Sequence, residues 1–323
     1  RHACPGGLEG KSISPYGMRS AMTSLQVVLA GVEMENPSML ASGIMGETGG
    51  SLLAMAKGGA GALVTKSIGS APREGHKNPT LVELEFGYMN AMGLPNPGID
   101  AFGEEMYEAG KAGIPIVGSV FGASAEEFAS LSKRMQEFGA EAIELNLSCP
   151  HAKGYGMEMG VDPDVVASII SEVKAAVAVP VFAKLTPNTH RLIDVALAAE
   201  KAGVDAIVAI NTLKAMKIDV DAMRPVLSNR YGGLSGPAVR GVGVRCVYEL
   251  YEALNIPVIG VGGIEDWRSA LEYIMAGAAA VQIGSGVGRV GPRVFGDICS
   301  GISSYMEVNR LRNISQLVGV AHD

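Results

Sequence analysis

The segment Ile143–Gly160 has a composition that could carry chemistry, because a thiol and an imidazole directly follow a run typical of a buried strand. Its sequence is IELNLSCPHAKGYGMEMG, with Cys149 and His151 on either side of Pro150. The glycines that follow predict a flap, and cations nearby would increase the thiolate fraction of a thiol whose ordinary pKa is ~8.5. Cys149 is therefore a candidate for moving a proton at a carbon beside a carbonyl. The alternative is an inert, buried cysteine, and His151 could either assist protonation or only fill space.

Two lysines end apolar runs, Lys66 in ALVTKS and Lys184 in VFAKLT. A lysine at the end of a buried strand must reach solvent or meet an anion. Each one alone could simply extend its ammonium to the surface. Two lysines at one site predict a place for delocalised negative charge, such as a reduced flavin.

Two glycine-rich turns, VGGIED and IGSGVGRVG, could hold a phosphate at Gly262, Gly263, Gly284 and Ser285. Glycine lets backbone N–H groups approach an anion closely. Tight-turn geometry alone is the alternative explanation. The run GSGVG is not a dinucleotide fingerprint, because no βαβ unit follows it.

The segment 87–98, GYMNAMGLPNPG, has the prolines and glycines of a rigid, shaped turn. Asn90 within it offers both a donor and an acceptor, which suits an amide-like ring edge. The alternative is a structural hairpin that carries no ligand.

The elements that must position these residues follow a repeated pattern, in which an amphipathic stretch ends in glycine and a short apolar run begins. Five runs follow this pattern, VPVFAKLT and IPVIGVGG are each introduced by a proline, and SMLASG comes first. These eight runs alternate with helical patterns, which predicts one (β/α)8 TIM barrel, with a doubly wound sheet as the alternative. Ser124 and Asp162 have the sequence context of helix N-caps. The long connections Ser67–Asp100 and Leu213–Ala238 predict insertions on the C-terminal face, where barrels carry their sites.

Composition limits the function classes. The 323 residues carry a net charge of -7, and no apolar run is long enough to span a membrane. An acidic chain is poorly suited to nucleic acid. Four scattered cysteines, Cys4, Cys149, Cys246 and Cys299, fit reduced thiols in the cytoplasm and no metal site. We expect residues 1–24 to be an irregular leader or vector-derived segment, and residues 25–323 to form a single domain.

Several motifs, from about Val28 to Gly288, resemble those of soluble dihydroorotate dehydrogenases, and they occur in the expected order. They are NPSMLASG, VTKS, NAMGLPNPG, ELNLSCPH, AKLTPN, AINTLKAMKID, RPVLSNRYGGLSGPAVR, IPVIGVGGI and AGAAAVQIGSG. The cysteine is typical of the soluble class, whereas the membrane-associated class uses serine. The resemblance is strongest to the catalytic subunit of the NAD-linked, two-subunit type, including its archaeal versions.

The resemblance implies a role for each matching residue. It implies FMN-dependent oxidation of (S)-dihydroorotate to orotate in pyrimidine biosynthesis, with Cys149 as the base at C5 and hydride transfer from C6 to FMN. The residues implied to bind FMN are Ala41, Ser42, Lys66, Ser67, Asn146, Lys184, Ile210, Gly236, Gly262, Gly263, Gly284 and Ser285. Those implied to bind the substrate are Lys66, Asn90, Ala91, Met92, Gly93, Leu94, Asn146, Asn211 and Thr212.

The resemblance also implies partners. An electron-transfer subunit with FAD and an iron–sulfur cluster is expected if NAD is the acceptor, in a homodimer or a heterotetramer. Fumarate or a quinone are the other acceptors. His151 departs from the asparagine of many members, and Ser119 stands where an asparagine is common, so Ser119 receives no role. The alternatives are reduction of uracil or thymine, as in dihydropyrimidine dehydrogenase, and a non-catalytic barrel that binds a phosphate ligand.

Overall fold

The structure is a computed structural model that describes residues 23–147 and 159–322. Its strands are β1 (Val27–Leu29), β2 (Val32–Met34), β3 (Ser38–Leu40), β4 (Ala62–Val64), β5 (Leu81–Leu84), β6 (Gly87–Asn90), β7 (Ile116–Val120), β8 (Ala142–Asn146), β9 (Val181–Lys184), β10 (Ala206–Ala209), β11 (Leu213–Met216), β12 (Ile218–Asp219), β13 (Arg224–Pro225), β14 (Tyr231–Ser235), β15 (Val258–Val261) and β16 (Ala278–Ile283). Its α-helices are α1 (Gly49–Lys57), α2 (Ile99–Gly110), α3 (Ala125–Glu137), α4 (Pro163–Ala176), α5 (Leu192–Lys201), α6 (Arg240–Ala253), α7 (Trp267–Met275), α8 (Ser285–Val290) and α9 (Val294–Val308). Within those residues, no helix has the length and apolar character needed to cross a membrane.

Eight parallel strands close into a barrel in the order β3, β4, β7, β8, β9, β10, β15 and β16, with β16 paired back to β3. Each of the eight apolar runs predicted as strands forms one of these barrel strands. Because neighbours in the barrel are also consecutive barrel strands in the chain, the (β/α)8 prediction is confirmed.

The two predicted N-caps begin their helices as expected. The Ser124 hydroxyl accepts from the Glu127 amide at 3.2 Å at the start of α3, and Asp162 accepts from two first-turn amides of α4. Glu127, three residues after Ser124, does not bond back to the N-cap amide as in a full capping box, and its carboxylate accepts from the Ala123 amide and the Ser70 hydroxyl. That carboxylate therefore ties α3 to the loop after β4.

The two long insertions meet in one sheet on the C-terminal side of the barrel. The first contributes β5 and β6, the second contributes β11 and β14, and the four pair antiparallel in the order β11, β14, β6, β5. Asn90 is opposite Gly233 and Tyr88 is opposite Ser235 in this ladder. Within the segment 87–98, Gly87–Asn90 is a hairpin strand and only the residues after it form the turn.

Apolar side chains form two layers around the barrel wall. One cluster fills the space between the strands and the helices, and a second lies inside the barrel and includes Met39, Phe182 and Ile259. The hairpin of β1 and β2 adds Leu29 and Met34 to the interior cluster. Since this hairpin directly precedes β3, it closes the N-terminal end of the barrel.

Candidate active site

The register of β8 decides which of its side chains enter the barrel. Ala142 packs in the interior cluster, whereas Ile143 and Leu145 pack between the barrel and its helices. Because successive side chains on a strand point to opposite faces, Glu144 and Asn146 lie on the inward side with Ala142. The strand therefore delivers two polar side chains to the interior at its C-terminal end.

A polar triad of Glu144, Lys184 and Gln282 crosses the barrel above the apolar interior. Lys184 Nζ lies 3.4 Å from Glu144 Oε1 and donates to Gln282 Oε1 at 3.2 Å. Gln282 Nε2 donates to Glu144 Oε2 at 2.6 Å, and since β8 and β16 lie on opposite sides of the ring, this bond spans the barrel. All three side chains are buried, so the carboxylate compensates the Lys184 charge inside the protein.

Lys66 lies just beyond β4, two residues after the interior Val64. Its side chain is buried, and this burial lowers the pKa of its ammonium, while the Glu47 carboxylate offsets part of the shift. In the part of the chain that the structure describes, no hydrogen bond or salt bridge reaches Lys66 Nζ. A buried cation is costly without a counter-charge, so Lys66 is suited to an anionic ligand.

An arc of hydroxyl groups lies at the C-terminal ends of three neighbouring barrel strands. Ser67 Oγ lies 2.9 Å from Ser119 Oγ and 3.1 Å from Ser42 Oγ, and Ser42 donates to Ser119 at 3.2 Å. Asn146 extends the arc to the next strand, because its side-chain amide donates to Ser67 Oγ at 3.1 Å. These groups offer adjustable donors and acceptors to a polar ring system.

The glycine loops after β15 and β16 present backbone amides. The N–H groups of Gly262, Gly263, Gly284 and Ser285 donate no hydrogen bond within residues 23–147 and 159–322. A Cβ on Gly263 would lie 2.6 Å from the Gly236 carbonyl oxygen, and Gly263 has φ of +66°, so only glycine suits this position. The loops therefore fit the phosphate end of a flavin nucleotide, through amides that have no partner in the described part of the chain.

Two further residues implied in flavin binding flank these loops. Ala41 lies inside the barrel, and its Cβ is 3.5 Å from the position of a Cβ on Gly284. Ile210 follows a cis peptide bond after Ala209 and packs its side chain between the barrel and the helices. Only the backbone of Ile210 is thus available to a ligand in the barrel mouth.

The implied substrate residues come from both insertions. The side-chain amide of Asn90 donates to the Gly233 carbonyl at 3.5 Å, and a Cβ on Gly233 would lie 2.0 Å from Thr212 Oγ1. Asn211 Oδ1 accepts from the Thr212 amide at 2.8 Å. Asn90, Asn211 and Thr212 are therefore brought together by the sheet that joins the insertions.

The residues after Asn90 are held by backbone contacts. The Ala91 amide donates to Thr80 at 2.8 Å, and the His76 amide donates to the Met92 carbonyl at 2.9 Å. Gly93 and Leu94 both have positive φ, +77° and +57°. The chain thus turns sharply here and exposes Met92, whose accessible fraction is 39%.

Cys149 and His151 lie outside the described residues, so their predicted roles stay predictions. The described chain stops at Leu147, directly after β8, and resumes at Met159. Gly160 packs against Leu147, since a Cβ on Gly160 would lie 2.3 Å from the Leu147 carbonyl oxygen. Both ends of the intervening segment therefore lie together beside the inward-facing Asn146.

Glu144, Gln282 and Ser119 are parts of the site that the sequence motifs did not indicate. Glu144 and Gln282 are single polar residues inside the apolar runs AIELN and AVQIG. A fully buried carboxylate or amide needs a hydrogen-bonding partner. A polar residue within a buried strand therefore indicates a polar contact inside the barrel. Ser119 is the residue before the last in β7, and its hydroxyl completes the arc with Ser42 and Ser67.

Known proteins resemble this chain over most of its length. A family model described as dihydroorotate dehydrogenase matches residues 24–306. A protein from Methanocella arvoryzae is 52% identical over 90% of this chain and 96% of its own length, and one from Thermoplasma acidophilum is 52% identical over 93% and 99%. A third, from Methanocaldococcus jannaschii, is 50% identical over 93% and 98%. All three are named dihydroorotate dehydrogenase B (NAD(+)), catalytic subunit. With matches of this extent, the chain belongs to the dihydroorotate dehydrogenase family.

Proposed function

We propose that this protein oxidises (S)-dihydroorotate to orotate in pyrimidine biosynthesis, with FMN as its cofactor. The observation that carries the proposal is the buried Lys66 ammonium, which forms no hydrogen bond or salt bridge among the described residues and lies in the same barrel mouth as the polar triad. Dihydroorotate has the carboxylate that such a cation would bind, whereas uracil and thymine lack one. The names of the curated relatives support this substrate over pyrimidine reduction.

The loops and the triad would hold FMN from its two ends. The phosphate would accept from the amides of Gly263, Gly284 and Ser285, which are free of intramolecular bonds among the described residues. Lys184, fixed by Glu144 and Gln282, would lie next to the pyrimidine edge of the flavin. When bound, FMN supplies the acceptor for the hydride that leaves C6 of the substrate.

The residues of the chain would orient the substrate and remove its proton. Lys66 would bind the carboxylate, and the amide side chains of Asn90, Asn146 and Asn211 would satisfy the ring carbonyl and N–H groups. Cys149 would take the proton from C5 as a general base. Since the hydroxyl arc and the triad lie at the base of the mouth, the substrate ring would be held on the open side of them.

The electrons would leave through a second protein. The words "catalytic subunit" in the names of the relatives support a partner subunit, and we propose that it carries FAD and an iron–sulfur cluster and passes electrons to NAD. We also propose that the complex works in the cytoplasm, as a heterotetramer built on a catalytic homodimer. Purification of the native complex tests this arrangement, and a lone subunit that reduces fumarate or a quinone efficiently would contradict it.

Anaerobic flavin reduction tests the activity itself. Protein loaded with FMN is mixed with dihydroorotate or with dihydrouracil, and the loss of flavin absorbance is followed. We expect fast bleaching with dihydroorotate and little with dihydrouracil. Bleaching by dihydrouracil alone would replace the proposal with pyrimidine reduction, and failure of both would favour a barrel that only binds a phosphate ligand.

A further inference from the structure

Tyr273 is a fully buried tyrosine on α7 whose hydroxyl reaches the loop after β15. The hydroxyl donates to the Gly262 carbonyl oxygen at 2.7 Å, with the Val261 and Arg240 carbonyl oxygens at 3.3 and 3.4 Å. Burial raises the pKa of Tyr273 above its ordinary value. The group therefore keeps its proton and remains a donor to this carbonyl.

Three glycines make room for this ring. A Cβ on Gly243 of α6 would lie 2.0 Å from the Tyr273 hydroxyl, and one on Gly260 of β15 would lie 2.5 Å from Tyr273 Cδ1. At Gly262 the corresponding distance to the hydroxyl is 3.1 Å. The hydroxyl thus occupies a slot between a helix, a strand and a loop, and any side chain on Gly243 or Gly260 would displace it.

The hydrogen bond fixes one peptide group. In a trans peptide the C=O and the following N–H point in opposite directions, so a Gly262 carbonyl directed at Tyr273 turns the Gly263 N–H the other way. That N–H donates no hydrogen bond within the described part of the chain. Gly262 and Gly263 have φ of +131° and +66°, and a pair of glycines can readily adopt other orientations.

We propose that Tyr273 is a positioning residue for the phosphate end of FMN, because its hydroxyl holds the Gly262–Gly263 peptide with the Gly263 N–H facing the anion. The inference rests on the proposed function. It goes beyond that function by assigning the orientation of the anion-binding amide to a helix residue that touches neither flavin nor substrate. The same loop packs against the start of α8, since a Cβ on Gly286 would lie 2.3 Å from the Ile264 carbonyl oxygen.

The test compares FMN with riboflavin, which lacks the phosphate. Binding of each to the flavin-free protein is measured by quenching of flavin fluorescence, for the wild type and for Tyr273→Phe. The variant keeps the ring and loses one oxygen, so we expect it to fold, and its thermal melting checks this. We expect FMN binding to weaken about tenfold, which is the equivalent of about 1.4 kcal/mol, and riboflavin binding to change less than twofold.

Tyr305→Phe is the matched control, because Tyr305 lies on α9 with its ring against Trp267, and we expect it to change neither affinity. Equal weakening of FMN and riboflavin in Tyr273→Phe would reduce the tyrosine to a structural role, and no weakening of either would also overturn the inference. A wild type that binds riboflavin as tightly as FMN would instead contradict the phosphate site of the proposed function. The two failures are therefore distinguishable.

Discussion

The Gln282 side-chain amide donates to the Glu144 carboxylate at 2.6 Å, and this hydrogen bond joins opposite walls of the barrel. Their strands, β16 and β8, face each other from opposite sides of the ring. Lys184 bonds to both side chains, so the three residues form a polar floor between the apolar interior and the mouth.

We expect Glu144→Gln to destabilise the flavin-free protein by about 3 kcal/mol, because it leaves the Lys184 ammonium buried without its counter-charge. The double variant Glu144→Gln with Lys184→Met removes both charges and should recover much of that loss. Urea unfolding gives the free energies for the cycle. Glu249→Gln, which breaks the exposed pair with Arg245, should change stability by less than about 1 kcal/mol. Equal losses in the single and the double variant would contradict the compensating role of Glu144.

We expect the affinity for orotate to fall as the pH rises, and to begin falling at a lower pH than it would if the lysine were exposed. Burial lowers the pKa of Lys66, so the free protein loses this proton as the pH rises through the lowered value, and the attraction for a carboxylate is lost with it. The dissociation constant is followed against pH through the change in flavin absorbance. The arginine in Lys66→Arg stays charged over the same pH range. The affinity of this variant for orotate should therefore not depend on pH, even if it differs from that of the wild type. Parallel profiles for the two proteins would exclude Lys66 as the titrating group.

We expect Cys149→Ser to bind FMN with nearly unchanged affinity and to lose about 10²–10⁴-fold in the rate of flavin reduction by dihydroorotate. The physical reason is that a serine hydroxyl gives up its proton far less readily than a thiol. Burial raises the pKa values of Cys246 and Cys299, so neither should replace the lost base. Stopped-flow absorbance under anaerobic conditions measures the rate, and Cys246→Ala serves as the control with a normal rate. An unchanged rate in Cys149→Ser would remove Cys149 from the mechanism.

We expect Gly263→Ala to lose at least about tenfold in FMN affinity, because the methyl group would lie 2.6 Å from the Gly236 carbonyl oxygen at φ of +66°. A backbone atom cannot move aside as the end of a flexible side chain can. Gly288→Ala is the matched control, since its nearest neighbours would be 3.8 and 3.9 Å away. Titration of the flavin-free proteins with FMN compares the two variants. Normal affinity in Gly263→Ala would show that this loop does not hold the phosphate.

Local sequence signals were sufficient for the barrel. Five helix-to-strand junctions have a glycine with positive φ where the pattern predicts one, at Gly59, Gly113, Gly139, Gly203 and Gly277. The caps at Ser124 and Asp162 act on neighbouring amides, so a short window of sequence contains both partners. Interactions of this kind are predictable because they do not depend on distant parts of the chain.

The rest of the site depends on contacts between distant residues. Asn90 and Gly233 are 143 positions apart, and no local pattern predicts that two insertions share a sheet. The barrel runs also appear apolar throughout, which hides the alternation that turns Glu144 and Gln282 inward. Tyr273 occupies an ordinary helix position, and its role depends on space left by Gly243 and Gly260. These features follow from packing, which local propensity does not encode.

The hairpin of β1 and β2 has a kinetic consequence. Leu29, Val32 and Met34 pack into the N-terminal end of the barrel, so small molecules do not pass through it. Substrate and product then share the opposite entrance, and orotate must depart before the next dihydroorotate can arrive.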